Sequence, residues 1–119
     1  EKKFEKILSE ISDYLNQNKI FYDFVILKKF KEFGRYLNFS GSGYSISFTF
    51  VTDNKYHMLK KFLNNIFSKY NLRVDFAKDL ILSKKNAHNF KEFKSFKKNL
   101  LNLNKNKKIN SLFSKRLGI

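Results

Sequence analysis

Two lysines could act on a bound molecule, because each is expected near the end of a strand. Lys28 directly follows an apolar run, Phe24–Leu27, and Lys78 comes near the end of an alternating segment, Leu72–Asp79. In a regular strand Lys28 shares a side with Phe24 and Ile26. An ammonium group at a strand end can stabilise a developing anion or polarise a carbonyl group. The chain has 22 lysines and most lysines are solvated, so position alone selects neither.

A second feature is a row of small hydroxyl side chains on one face of a predicted strand over 43–50. The apolar positions are Tyr44, Ile46, Phe48 and Phe50, and the alternate positions are Ser45, Ser47 and Thr49. A solvated strand face on a chain of net charge +15 would be expected to carry lysine. The hydroxyl row therefore predicts a face covered by a ligand, a cofactor or another part of a larger protein. The alternative is that Ser and Thr are merely tolerated in a strand.

Several kinds of site are excluded by composition. The chain has no Cys, which excludes disulfides and thiolate chemistry, and its two histidines are not paired as metal ligands. There is no glycine-rich phosphate loop, no Ser–His–Asp set and no evident acid–base pair among the ten acidic residues. We therefore expect these residues alone not to form a complete active site.

The ends of the chain and its hydropathy bear on its context. No run approaches the ~20 apolar residues that a membrane span needs. The chain opens at Glu1 without Met and without the apolar core of a signal peptide. We interpret this start as a cut from a longer protein, and we expect a cytoplasmic location, with association with a membrane surface as an open alternative.

The net charge of +15 has two explanations. A strongly basic chain raises nucleic acid or an anionic membrane as a partner. However, Lys outnumbers Arg by 22 to 3 and Pro is absent, a usage that AT-rich codons would produce. Proteins that recognise phosphate groups favour Arg, because its guanidinium group can donate two hydrogen bonds to one phosphate. A solvated lysine-rich surface is therefore the favoured interpretation, and nucleic acid is not expected as a partner.

Hydrophobic periodicity predicts the elements of the first two thirds of the chain. They are a helix over Glu1–Asn18, a strand over Phe21–Phe30 buried on both faces, a strand over 43–50, a helix over Asn54–Tyr70 and a strand from Leu72. Asn71 is expected to end the second helix in the left-handed conformation.

The remaining residues predict two helices. The first runs over Asn86–Leu103 after a Ser83 cap, and the second, capped by Asn110 or Ser111, closes the chain before Gly118. The order is α-β-β-α-β followed by two helices. This order predicts an α+β fold, with a small, mostly antiparallel sheet and helices on one face.

Four segments together resemble the C-terminal part of FAD-linked oxidases. They are Val25–Phe30, Gly43–Phe48, Ala77–Asp79 and Lys115–Ile119. In order and spacing they are similar to the decaprenylphosphoryl-β-D-ribose 2-oxidase group of the vanillyl-alcohol-oxidase-like superfamily. That group has a strand ending Leu-Lys, a Gly-aromatic strand opening, Ala-Lys-Asp and a terminal Arg-Arg-Leu-Gly-Leu. The resemblance spans nearly the whole chain.

The resemblance implies a division of the chain and roles for named residues. Residues 1–73 would be the C-terminal part of a substrate-binding domain, and residues 74–119 would return to the FAD-binding domain. Lys78 would contact the flavin near its N1–O2 edge and Lys28 the substrate, while Tyr44 and Ser47 would line the same cavity. The reaction would be oxidation of an alcohol carbon of a sugar or sugar-lipid. The N-terminal FAD-binding half of the same protein would be needed, so this fragment would not hold FAD.

The sequence also departs from the family pattern. Asn104-Lys105 replaces an Asp-Pro turn, and Leu80-Ile81 follows Ala-Lys-Asp where a small residue and Arg are usual. Two alternatives remain. One is a small basic α+β module that binds RNA, and the other is a membrane-surface helix over Asn86–Leu103. Packing of the phenylalanine stripe of that helix into a core is favoured over membrane binding.

Overall fold

The protein is described by a computed structural model that covers residues 1–31, 42–50, 54–76, 81–106, 108 and 110–119. The elements in chain order are α1 (Lys2–Gln17), β1 (Tyr22–Phe30), β2 (Gly43–Phe50), α2 (Tyr56–Tyr70), α3 (Lys84–His88), α4 (Phe93–Leu103) and α5 (Leu112–Leu117). Helices and an antiparallel sheet thus occur together, and the predicted α+β class is confirmed.

The first core cluster joins α1 to α2. Its buried members are Ile7, Ile11, Leu15, Ile20, Leu59, Leu63 and Ile66. On each helix these side chains recur at three- and four-residue steps, so they form one apolar stripe per helix. The rings of Tyr14 and Phe62 stack with their centroids 3.7 Å apart beside this core. The stripes of the first two predicted helices are therefore the surfaces on which these helices pack.

Asn71 ends α2 as predicted. Its φ of 51° and ψ of 53° place it in the left-handed region, and its backbone N–H bonds to the carbonyl groups of Phe67 and Ser68. Asparagine tolerates this conformation better than most residues. The end of α2 turns the chain toward the second half of the molecule.

The sheet among the described residues has two strands. β1 and β2 are antiparallel, with Lys28 opposite Ser45 and a register irregularity between Tyr22 and Phe24. The predicted third strand from Leu72 is not formed over Leu72–Phe76, which belongs to neither strand. Its residues pack into a helical core instead of pairing: Val74 is buried and the Phe76 ring lies 5.1 Å from that of Phe90.

The prediction that β1 is buried on both faces is wrong for the chain described here. Phe24 is 53% exposed and Leu27 is 54% exposed, and the two residues between them are also exposed. The reason lies in how the hairpin rests on the helices. Phe48 and Phe50 of β2 pack against the α1–α2 core, whereas β1 is the outer strand of a two-stranded sheet.

A second core cluster holds the C-terminal elements. Its buried members are Val74, Leu82, Ala87, Phe90, Phe93 and Leu117. The single helix predicted over Asn86–Leu103 is instead two helices, α3 and α4, separated at Asn89–Glu92. Phe90 and Phe93 both turn into this core across the break, and Leu103, expected on the same stripe, is 86% exposed.

Local capping signals in the C-terminal part are confirmed. The Ser83 hydroxyl accepts a hydrogen bond from the Asn86 backbone N–H at the start of α3. Ser111 and Ser114 form a reciprocal capping box on α5, and Gly118 ends α5 with a φ of 72°. Each device satisfies backbone groups that a helix end leaves unpaired.

The two core clusters meet near the predicted domain boundary between residues 73 and 74. Buried members of the first cluster lie before that point and those of the second lie after it. Phe67 packs against both clusters, so α2 contributes to each. The assignment of 1–73 and 74–119 to different domains stays a prediction.

Replacing Ile66 with Ala should destabilise the fold strongly. Ile66 is 1% exposed in the α1–α2 core, and truncation of a buried Ile typically costs about 2–5 kcal/mol of unfolding free energy. Met58→Ala on the same helix is the matched control, because Met58 is 50% exposed and should lose at most about 0.5 kcal/mol. Denaturant unfolding measures both, and equal losses would contradict the core assignment.

A polar cluster fastens the outer side of α1 to the end of α2. Lys69 Nζ lies 2.8 Å and 2.9 Å from the two carboxylate oxygens of Glu10, and the Tyr70 hydroxyl donates to Glu10 at 2.7 Å. The hydrogen bond from Lys69, followed by that from Tyr70, lowers the pKa of Glu10 below its ordinary value. The contribution of this cluster to stability is therefore present above pH 4.5 and is lost as the pH falls through the lowered pKa.

Glu10→Gln should consequently destabilise the protein near neutral pH and have progressively less effect as the pH falls below 4.5. Urea unfolding at a series of pH values measures the difference between the two proteins. In a Lys69→Met background the same substitution should show a smaller pH dependence, because the main cause of the shift has been removed. A difference that stays constant down to pH 2 would contradict this account.

Candidate functional site

The hairpin has two faces, and the predicted site residues divide between them. Residues directly opposite each other in an antiparallel pair share a face, so the register defines both. The outer face consists of Phe24, Ile26, Lys28 and Phe30 from β1 and Gly43, Ser45, Ser47 and Thr49 from β2. The inner face consists of Val25, Leu27 and Lys29 from β1 and Tyr44, Ile46 and Phe48 from β2.

The outer face brings three of the predicted groups together. Lys28 lies opposite Ser45, and Ser47 lies opposite Ile26, the residue two positions before Lys28. The side chain of Lys28 therefore projects beside two hydroxyl side chains. Lys28 also shares this face with Phe24 and Ile26, as strand alternation predicted.

Tyr44, predicted to line the same cavity as Ser47, lies on the inner face. Its ring centroid is 4.7 Å from that of Phe4 on α1, and Lys29 Nζ lies 5.5 Å from the Tyr44 ring centroid. The contact with Phe4 anchors β2 to α1, and the Lys29 contact lies within the hairpin. The structure thus separates Tyr44 from Lys28 and Ser47 by the thickness of the sheet.

Lys78, the residue predicted to contact a flavin, falls at 77–80, outside the described residues. The segment leading to it is described as far as Phe76. The Phe76 ring contacts three aromatic rings of the second core, those of Phe90, Phe93 and Phe113. The chain is therefore held by an aromatic cluster at Phe76.

The outer face combines an apolar area with a few polar groups. Phe24 and Ile26 are exposed apolar side chains, Ser47 and Thr49 are exposed, and Ser45 is half-buried. Isolated exposed apolar residues are common, whereas contiguous exposed apolar patches more often mark interaction surfaces. Lys28 can donate hydrogen bonds to anionic or carbonyl oxygens, and the serine hydroxyls can donate or accept.

The cavities of the described residues lie away from this face. One, of about 350 Å³, is lined by residues of the α2–α3 region including Ser68, Arg73 and Asn86. The other is a groove of about 490 Å³ between α1 and α2 that includes Glu10 and Phe62. Neither contains Lys28, Tyr44 or Ser47. The candidate face is therefore part of neither cavity.

A buried polar network beside the smaller cavity was missed by sequence reasoning. Asn86 accepts a 2.6 Å hydrogen bond from the Ser68 hydroxyl and donates to the Asn64 carbonyl at 2.8 Å. Asn64 in turn accepts from the Ser83 backbone N–H at 2.8 Å. The sequence contained one indication of this network: Asn86 lies four residues before Phe90, so in the predicted helix a polar residue shares the apolar stripe. The network connects α2 to α3, and the buried Asn86 side chain has protein partners for its hydrogen bonds.

Asn86→Ala should destabilise the protein by about 1–3 kcal/mol, because it removes the hydrogen bonds by which the buried Asn86 side chain joins Asn64 and Ser68 of α2. Asn89→Ala is the control, since Asn89 is an exposed residue at the rim of the same cavity and should change stability by at most about 0.5 kcal/mol. Thermal unfolding of the two variants measures the difference. Equal stability of both variants would show that the network does not hold α3 in place.

Two further properties limit the kinds of site. Within the described residues no group of three His, Cys, Asp or Glu side chains could hold a metal ion. None of the described helices combines the length and the apolar character that crossing a bilayer requires.

Comparisons with known proteins add no relative: no protein-family model matches the chain, and neither a curated protein nor a solved structure matches it.

Proposed function

We propose that this chain is the C-terminal segment of a cytoplasmic FAD-dependent oxidoreductase that oxidises an alcohol carbon of a sugar or sugar-lipid. The sequence resemblance supplies the reaction class. The observation that carries the proposal is the outer face of the hairpin, where Lys28 projects beside Ser45 and Ser47 on an exposed and partly apolar sheet surface. Such a surface suits one wall of a cavity that the N-terminal FAD-binding half would complete.

The residues of the outer face fit the chemistry of a flavin and a sugar-type substrate. Phe24 and Ile26 offer apolar area for a planar ring system or a lipid chain, and the small side chains of Ser45 and Ser47 leave room for close approach. Bound FAD would supply the acceptor for the hydride that leaves the alcohol carbon. The described residues form one wall, so the fragment alone is not expected to retain the cofactor.

In this proposal each site residue has a separate task. Lys28 donates hydrogen bonds to substrate oxygens, and Ser47 shapes the wall beside it. Lys78 places positive charge near the edge of the flavin that becomes anionic on reduction. Tyr44, on the inner face, acts as a positioning residue that holds β2 against Phe4 of α1.

RNA binding is a second candidate, and one observation favours it. Phe24 is an exposed aromatic residue on a sheet face that also carries Lys28. Sheet modules that bind RNA stack two or three bases on aromatic side chains of one face. The outer face offers one exposed ring, since Phe24 is exposed and Phe30, which shares this face, is half-buried. The oxidase assignment is therefore preferred, and association with a membrane surface has no comparable support.

Lys28→Ala tests the proposal in the protein extended upstream of Glu1 by its flavin-binding half. Loss of a charged hydrogen bond, worth about 1.5–3 kcal/mol, should lower kcat/KM by about 10- to 100-fold while FAD stays bound. Lys29→Ala is the matched control, because the neighbouring lysine lies on the inner face and should change kcat/KM little. Lys78→Ala should slow reduction of the flavin by substrate.

Three results would contradict the proposal. The first is an extended protein that stays colourless with added FAD, and the second is an equal kinetic effect of Lys28→Ala and Lys29→Ala. The third is RNA binding. Tight binding of single-stranded RNA that persists as salt is raised would instead support the second candidate, since nonspecific lysine–phosphate contacts weaken with salt.

A further inference from the structure

We propose that the cavity of about 350 Å³ at the end of α2 binds a small phosphate monoester. The phosphate group lies beside Arg73 and Lys91, and a hydroxyl or amino group of the ligand lies beside Ser68; all three residues line the cavity. Neither Lys28 nor Ser47 lines it. This site is therefore separate from the outer face of the hairpin, and it does not depend on the proposed function.

The walls of this cavity form a buried floor and an exposed rim, and the residues named here all belong to the described part of the chain. Leu82, Asn86 and Phe90 form the floor and are 0%, 5% and 8% exposed. Asn71 and Asn89 lie on the exposed rim. A volume of about 350 Å³ is near the lower limit of the range of about 300–1,000 Å³ that ligand pockets span. A single small molecule is therefore the class of ligand that fits.

The rim is positively charged where Arg73 and Lys91 lie. Arg73 Nη1 and Nη2 are each 3.2 Å from Glu92 Oε1, and Lys91 is the chain neighbour of Glu92. This ion pair holds the two cations in the same part of the cavity, and no acidic residue is found among the described lining residues. Lys91 also directly precedes the N-cap of α4, where the helix dipole favours negative charge.

A phosphate monoester matches this part of the rim in charge and in hydrogen-bonding capacity. Near neutral pH it carries a charge of about −1.5 to −2 and three strong acceptor oxygens. Arg73 and Lys91 bring two positive charges, and although the Glu92 carboxylate offsets one of them, the chain as a whole carries +15. The side-chain amides of Asn71 and Asn89 can donate further hydrogen bonds. An anionic ligand is therefore favoured over a neutral one.

Ser68 presents a hydrogen-bond acceptor to the ligand. Its single hydroxyl hydrogen is donated to Asn86 Oδ1 at 2.6 Å, so the Ser68 oxygen offers a ligand its lone pairs. The Asn86 amide nitrogen donates to the Asn64 backbone oxygen at 2.8 Å and to Asn64 Oδ1 at 3.0 Å, which fixes the orientation of the amide. Ser68 also lies in the last turn of α2, where the helix dipole favours hydrogen-bond donors. The ligand therefore needs a hydroxyl or amino group in addition to its phosphate.

Sugar phosphates and nucleoside monophosphates share this chemistry, and calorimetry distinguishes the two sources. Glucose 6-phosphate, AMP and inorganic phosphate are titrated separately into the 119-residue chain. At least one of the two esters should bind with a Kd below about 1 mM and at least about 10-fold more tightly than inorganic phosphate, which has no organic part to contact Ser68 and the apolar floor. The ester that binds more tightly identifies the organic part of the ligand.

Three substitutions test the roles of the residues. Lys91→Gln should weaken binding of that ester about 10-fold, because it removes a charged hydrogen-bond donor from the rim. Lys94→Gln is the matched control, since it removes the same charge from an exposed lysine that does not line the cavity, and it should leave the affinity nearly unchanged. Ser68→Ala should weaken the ester about 2- to 10-fold and leave binding of inorganic phosphate unchanged. NMR spectra establish that each variant is folded, and Lys91→Gln alone decides if Ser68→Ala is not.

An NMR titration locates the ligand. The backbone amide signals of Asn71, Asn89 and Lys91 should shift on addition of the ester, whereas those of Glu10 and Lys69 should not. Shifts spread over lysines throughout the chain, or equal weakening by Lys91→Gln and Lys94→Gln, would overturn the proposal, because either result indicates non-specific attraction to a basic protein.

Failure of this proposal and failure of the proposed function are distinguishable. If neither ester binds the 119-residue chain at about 10 mM, while the upstream-extended protein binds FAD, the phosphate site is overturned and the oxidase proposal stands. Specific ester binding by a chain whose extended form binds no FAD does the reverse.

Discussion

The packing of β2 on the α1–α2 core is the interaction on which the candidate site depends. Phe48 and Phe50 lie against that core, and Tyr44 stacks near Phe4 of α1. Because side chains alternate along a strand, fixing these three residues inward turns Ser45, Ser47 and Thr49 outward. The register with β1 then brings Lys28 beside Ser45. The chemistry of the outer face is thus a consequence of apolar packing on the inner one.

Signals confined to a few neighbouring residues were readable from the sequence, and signals that depend on distant contacts were not. The Asn71 and Gly118 helix ends and the Ser83 cap are local backbone effects, so residue type predicts them. The predicted third strand is not formed over Leu72–Phe76, although this segment alternates as a strand would. Val74 is buried in the second core, and the Phe76 ring contacts rings on α4 and α5. Alternation cannot distinguish a paired strand from an extended segment that packs on helices.

The candidate site divides in the same way. Strand alternation predicts that Lys28 shares a face with Phe24 and that Ser47 shares a face with Ser45. Whether these two faces are the same side of the sheet depends on the register between β1 and β2. Tyr44 and Ser47 are three positions apart, and residues an odd number of positions apart point to opposite faces of a regular strand, so the two cannot line the same side. The buried Asn86 was overlooked because its partners lie on another helix.

The exposure of β1 is the feature that the two core clusters do not account for. Burying an apolar side chain of this size contributes about 1.5–3 kcal/mol relative to leaving it exposed. The four residues Phe24–Leu27 are 40–54% exposed, so they realise only part of this contribution in the described structure. Natural strands that stay exposed carry lysine or proline at such positions, and the 22 lysines of this chain show that lysine was not scarce. An apolar and exposed run in so lysine-rich a chain sets β1 apart from the rest of the described surface.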